Sequence, residues 1–122
     1  MKVEFNHEKL KVYRDSILFV NKLNQILDSQ KSRTPIRDQI ERASISIPLN
    51  IAEGNGKFTP RDKCRFFDIA RGSAMECAAC LDILVVKEEI APHMAKMLKG
   101  ILHEIVCMLV GLIQSTDKRR NY

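Results

Sequence analysis

The chain reads as all-α, an antiparallel up-down-up-down four-helix bundle, and three observations point there. Apolar residues recur at three- and four-residue spacing through nearly every segment, and no stretch shows the alternation of a strand. Thr34-Pro35 and Thr59-Pro60 repeat one helix-start signal, a capping side chain followed by the residue that loses nothing at the first helical position. The links between periodic segments are short, so successive helices pack as antiparallel neighbours. With 122 residues, 45% of them hydrophobic, the chain suffices for one domain, expected over residues 1–115, with 116–122 as a disordered basic tail.

The first helix is expected from His7 to Asp28 with Asn6 as its cap. Leu10, Tyr13, Ile17, Val20 and Leu27 form one apolar row; Val12, Phe19, Leu23 and Ile26 form a second, making a stripe wider than one partner covers. After the polar linker Ser29 to Arg33, the second helix starts at Thr34-Pro35, with Asp38 suited to the first turn. It runs to Glu53, with Ile36, Ile40, Ala43, Ile47 and Ile51 facing inward and Gly54 expected as a left-handed stop. Pro48 lies inside it and releases the Ser44 carbonyl, which predicts a kink and a cost of roughly 3 kcal/mol unless a neighbour compensates.

Asn55 to Phe58 is a short turn, and Thr59-Pro60-Arg61-Asp62 then has capping-box spacing. The third helix carries Phe67, Ala70, Ala74, Cys77, Leu81 and Leu84 as its stripe, with Phe66, Ile69 and Cys80 beside it, and fades near Lys87 to Glu89. The fourth follows Pro92, with Met94, Leu98, Ile101, Ile105, Met108 and Leu112 as a heptad seam. Met97, Leu102, Val106, Leu109 and Ile113 flank that seam. The doubled rows on the first and fourth helices ask for a second buried face. Folding the second and third helices about Lys57 sets Arg42 opposite Gly72, Ser46 opposite Asp68, Asn50 opposite Cys64 and Glu53 opposite Arg61. Small residues then meet, which would explain a glycine at 72 inside a helix.

Composition excludes several function classes. Four cysteines sit inside apolar helical pattern and Met1 to Lys11 has no apolar core, so a reducing cytoplasm is the expected compartment. The longest uninterrupted apolar run, Ile105 to Ile113, is about half of what a bilayer requires, so no membrane span is expected. The net charge is +5, mild for a nucleic-acid binder. Its basic residues nevertheless concentrate at Lys57, Arg61, Lys63, Arg65 and Arg71, and again at Lys118, Arg119 and Arg120. These eight are the candidate nucleic-acid or partner contacts; the plain alternative is a solvated helix face.

No catalytic, cofactor or metal set is expected. Cys77 and Cys80 spell CxxC in mid-helix, away from the N-terminal dipole that activates redox thiols, and read as small buried residues. Zinc lacks four ligands at supporting spacing; His103 and Cys107 share a helix face but read as surface. Glu4-Phe5-Asn6-His7 is a lone Glu-x-x-His ahead of the first helix, whereas a di-iron bundle needs two. Gly54 to Thr59 fails the phosphate-loop spacing. Arg42, Asn50, Glu53 and Glu76 read as structural: Asn50 satisfying groups disturbed by Pro48, Glu53 pairing with Arg61, Arg42 reaching Glu76.

Two motifs carry a resemblance over nearly the whole chain. They are Gln39-x-x-Arg42-Ala43-x-x-Ser46-Ile47-Pro48-x-Asn50-Ile51-Ala52-Glu53-Gly54 and Phe66-x-x-Ile69-Ala70-Arg71-Gly72-Ser73-x-x-Glu76, with Leu10 to Tyr13 as a matching opening. The chain resembles the four-helix-bundle family whose founding members are encoded within intervening sequences of bacterial 23S ribosomal RNA genes. The linker Gln30 to Thr34 departs from the phenylalanine-proline and acidic residues often found there. The resemblance implies a cyclic pentamer. It also implies distant kinship with the accessory variability protein of diversity-generating retroelements, which works beside a reverse transcriptase and contacts nucleic acid through basic surface. The expected function is thus a non-enzymatic, ring-forming accessory protein with RNA or DNA as partner, or alternatively a purely structural or protein-binding oligomer.

Overall fold

The computed structural model describes residues 3–28 and 33–118, and among them there are four α-helices and no strand. The helices are α1 (Lys11–Asp28), α2 (Pro35–Asn55), α3 (Pro60–Val86) and α4 (Pro92–Thr116), preceded by a 3-10 turn over Asn6–Lys9. Neighbours in the chain pack together and α1 also packs on α4, with the α2–α3 contact the most extensive. In α2 and α3, Gln39 reaches Glu76, Ser46 meets Ser73 and Gly54 meets Phe67, so the pair runs antiparallel. Lys99 with Asp82 and Ile113 with Cys64 give the same sense to α3 and α4.

The first helix begins later than its periodicity predicts. Leu10 is extended (φ −78°, ψ 126°), separating the 3-10 turn from α1, and the expected Asn6 cap is instead the first residue of that turn. The break is held by the Glu8 carboxylate on the Phe5 N–H and by the Arg14 guanidinium, which donates to the Glu8 and Lys9 carbonyls at 3.2 and 2.9 Å. The Arg14 bonds satisfy carbonyls that a continuous helix would have paired internally, and the Glu8 carboxylate satisfies an N–H that no helix would have.

Of the two apolar rows on α1, the second forms the core: Val12, Phe19 and Leu23, with Leu27, are buried, while Ile17 is exposed. The α4 seam is likewise displaced. Ala95, Leu98, Leu102, Ile105, Leu109 and Ile113 are buried, whereas Ile101, Met108 and Leu112 only flank the core and Met94 is exposed. On α2 and α3 the expected stripes are the buried ones, with Ile36 only partly so. By length and composition α4 could cross a membrane, in contrast to the expectation from its uninterrupted run; in the bundle its leucine and isoleucine stripe fills the core.

Both predicted threonine caps are in place, Thr34 accepting from the Arg37 N–H at 3.4 Å and Thr59 from the Asp62 N–H at 3.1 Å. Thr34 also donates to Glu89 at 2.7 Å, tying the start of α2 to the α3–α4 link. That link turns on Glu88, in the left-handed region at φ 59°, with the Glu89 N–H on the Leu84 carbonyl.

Gly54 is not the left-handed stop expected of it. The helix runs through it to Asn55, no described glycine has positive φ, and Gly56 closes the helix in ordinary α geometry at φ −84°. What requires glycine at 54 is the approach of α3: a Cβ there would stand 2.8 Å from the Phe67 ring and 3.0 Å from the Lys63 carbonyl oxygen. Gly72 behaves oppositely, being exposed with nothing within 4 Å of a Cβ, so it is no part of the helix contact proposed for it.

Candidate nucleic-acid interface

One end of the bundle gathers the C-terminus of α2, the N-terminus of α3 and the C-terminus of α4. Helix ends leave backbone groups open, and the turn between α2 and α3 is braced by satisfying them. The Gly56 N–H bonds to the Ala52 and Glu53 carbonyls, both at 3.2 Å, and the Lys57 N–H to Gly54 at 3.1 Å. Lys63 donates from Nζ to the Asn55 carbonyl at 3.0 Å, a cation on a helix C-terminus where the dipole favours it. Asn55 in turn donates to the Asn6 side chain at 2.9 Å, so the N-terminal turn is fastened to the same end. The Cys64 thiol donates to the Ile113 carbonyl at 3.7 Å, which sets the last turns of α4, and with them Lys118, beside the start of α3.

The eight candidate cations therefore separate into groups. Arg61 and Arg65 are exposed on the first two turns of α3, and Lys118 is exposed just beyond α4. Lys57 is half-buried, with Nζ 3.8 Å from Glu53 and 5.0 Å from the centre of the Phe66 ring, whose other close cation is Arg65 at 4.7 Å. Lys63 is spent on the turn. Arg71 is half-buried farther along α3, beside Asp68 at 3.9 Å and donating to the Met75 sulfur at 3.6 Å, and does not belong to this end. Arg119 and Arg120, like most of the tail expected to be disordered and the linker residues 29–32, lie outside the described residues.

Sequence reasoning missed the aromatic residues of this end. Phe58 is 98% exposed at the tip of the α2–α3 turn. Phe5 is 67% exposed and stacks on His7 at 6.0 Å between centroids, with His7 edge-on to Tyr13 at 4.6 Å. The signal for Phe58 was its place in a glycine-containing turn with no periodic partner, where a phenylalanine has no core to enter.

The 23S rRNA-intervening sequence protein model matches residues 8–111. The chain belongs to that family. It is similar in structure to a protein of unknown function from the S23 ribosomal protein family of Bacteroides thetaiotaomicron, with a TM-score of 0.78 and 24% identity. That match covers 84% of this chain and 98% of the other, and at such identity it speaks to the fold. No curated protein matches.

Of the residues that carried the resemblance to the 23S rRNA-intervening sequence proteins, Gln39, Ser46, Gly54, Ser73 and Glu76 meet across α2 and α3, about one helical turn out of the expected register. Ser46 meets Ser73, Oγ to Oγ at 2.8 Å, where Asp68 was expected, because α2 continues to Asn55 and the fold-back point moves beyond Lys57. The Asn50 amide donates to the Ser46 carbonyl and hydroxyl at 2.8 and 2.9 Å, so it completes a polar link between helices and does not reach the Ser44 carbonyl released by buried Pro48. Glu76 accepts from Gln39 in place of Arg42, and Glu53 lies by Lys57 in place of Arg61. Among the described residues no three His, Cys, Asp or Glu side chains converge on a metal-sized site. Cys64, Cys77 and Cys80 are buried free thiols and Cys107 is exposed, its sulfur 4.0 Å from the His103 ring nitrogens. Burial, with Cys80 and Glu76 adding to it, pushes the Cys77 thiol up to about 12, the reverse of an activated nucleophile.

Proposed function

We propose that this member of the 23S rRNA-intervening sequence protein family is a non-enzymatic, ring-forming accessory protein of the cytoplasm that holds nucleic acid on the basic end of its bundle. In this reading the helices alternate up and down, α2 bends at Pro48, and five copies close into a ring that repeats the basic end five times, with a protein partner such as a reverse transcriptase beside it. The observation that carries it is the gathering of Arg61, Arg65 and Lys118 at one end, exposed, with Lys57 next to them. Repeated around a ring, a mild charge becomes a strong local field. Exposed Ile17, Leu18, Ile45, Leu49, Met94 and Met97 supply apolar surface for contacts between copies.

Filter binding to a structured ribosomal RNA fragment over a salt series tests the proposal. Affinity should fall steeply as salt rises, because each phosphate neutralised releases a counterion. Charge reversal at Arg61 and Arg65 should weaken binding and flatten the slope. Absence of binding at low salt, or binding indifferent to salt, refutes it.

A second reading, a protein-binding or structural oligomer without nucleic acid, is favoured by the same exposed apolar surface. It predicts that the charge reversals abolish capture of a protein partner while RNA binding is never detected.

A further inference from the structure

We propose that Phe58 is a stacking platform for an unpaired nucleobase, so that the basic end selects single-stranded over duplex nucleic acid; this rests on the nucleic-acid reading above and narrows its ligand. A single exposed apolar side chain is ordinary, and exposure alone decides nothing. Three further features separate Phe58 from the other exposed residues.

The turn that carries it is already ordered. Backbone bonds from Gly56 and Lys57 hold its α2 side, the Thr59 cap holds its α3 side, and Lys63 bridges the two through the Asn55 carbonyl. A ring presented on a braced turn loses little freedom when it binds. The neighbouring aromatic is differently placed: Phe66 is half-buried and already occupied by Lys57 and Arg65 at 5.0 and 4.7 Å, whereas Phe58, at 98% exposure, leaves both faces of its ring open. Finally, Lys57 precedes it and Arg61 follows one turn later, so phosphates on either side of a stacked base would meet positive charge.

An aromatic ring open on both faces beside cations is the arrangement by which proteins hold single strands, since every base offers a π-face and the backbone follows the charge. Bases in a duplex are already stacked within it and do not offer that face to a side chain. The chemistry recognised is an unpaired base next to its phosphates, common to RNA and DNA strands.

The chain contains no tryptophan, so Phe58→Trp places a single indole at the tip of the turn. Titration with oligouridylate and with oligothymidylate should quench its fluorescence in parallel with binding measured by anisotropy, and the ratio of the two affinities identifies the preferred strand. A blunt duplex of equal length should not quench it. Phe58→Ala should weaken single-strand binding roughly 5- to 150-fold, the range of one lost base stack, while the slope of affinity against salt stays that of the wild type. Charge reversal at Arg61 and Arg65 should instead reduce that slope. If Phe58→Ala binds strands as the wild type does, or the indole is not quenched by a strand shown to be bound, the platform is refuted while the electrostatic reading stands. If neither wild type nor variant binds at low salt, both fall together. Binding of duplex equal to that of single strands also overturns the proposal.

Discussion

Replacing Gly54 with alanine tests whether that glycine serves packing or a turn. A Cβ built there stands 2.8 and 2.9 Å from two carbons of the Phe67 ring and 3.0 Å from the Lys63 carbonyl oxygen, where ordinary contacts lie at 3.4–4 Å. The ring is 2% exposed and the oxygen belongs to the backbone of α3, so neither yields cheaply. Overpacking of this kind costs about 1–3 kcal/mol. Alanine returns about 1 kcal/mol of helix propensity, leaving a net destabilisation of about 1 kcal/mol. Gly72 is the internal control: nothing lies within 4 Å of its Cβ, so alanine there gains the propensity without a clash. The two variants should differ by about 2 kcal/mol in urea unfolding followed by circular dichroism at fixed protein concentration, or roughly 8 °C in Tm. Phe67→Leu combined with Gly54→Ala should recover part of the loss, with a coupling of about 1 kcal/mol. Equal stability of the two alanine variants, or strict additivity with Phe67→Leu, would refute the packing argument.

Two further outcomes are expected. Cys77 carries its proton in the folded chain up to about pH 12 against 9.0 ordinarily, so above pH 9 the unfolded chain releases a proton that the folded chain keeps. Stability should be whole below pH 9 and fall above it by up to about 1.4 kcal/mol per pH unit; Cys77→Ala should flatten that alkaline limb, and an unchanged limb counts against the buried thiol. Light scattering at micromolar concentration should return about 70 kDa, five copies of the 14.0 kDa chain, whereas a monomer mass would dispose of the ring.

What the sequence made legible was whatever a few neighbouring residues decide. Thr34 and Thr59 cap their helices by bonding amides three residues on, which needs no tertiary partner. On α2 and α3 the expected stripes were the buried ones, because their regular three- and four-residue spacing made one row dominant over the apolar residues beside it. On α1 and α4 two rows compete, and whether Ile17 or Phe19 is buried depends on where the neighbouring helices stand, which no local pattern records. Gly54 failed for a related reason: a stop glycine and a packing glycine look alike until Phe67 is placed across from it. The register of α2 on α3 inherited that error, since a helix continuing to Asn55 moves Ser46 from Asp68 to Ser73.

Under the proposed function, the cations of the basic end divide into one that holds the fold and others left for a partner. Lys63 stabilises the fold, a cation on the open carbonyl at the end of α2. Arg61 sits where a cation is least welcome, in the first turn of α3, against a helix dipole that favours negative charge there by about 0.3–1 kcal/mol. Asp62 beside it follows the rule and offsets part of that cost. Arg65 lies one turn on, its guanidinium 4.7 Å from the centre of the Phe66 ring. Local rules broken without a compensating contact are expected at functional sites, where something outside the fold supplies the compensation. On the proposed reading, a phosphate backbone passing the Phe58 turn would bring negative charge to Arg61 and Arg65.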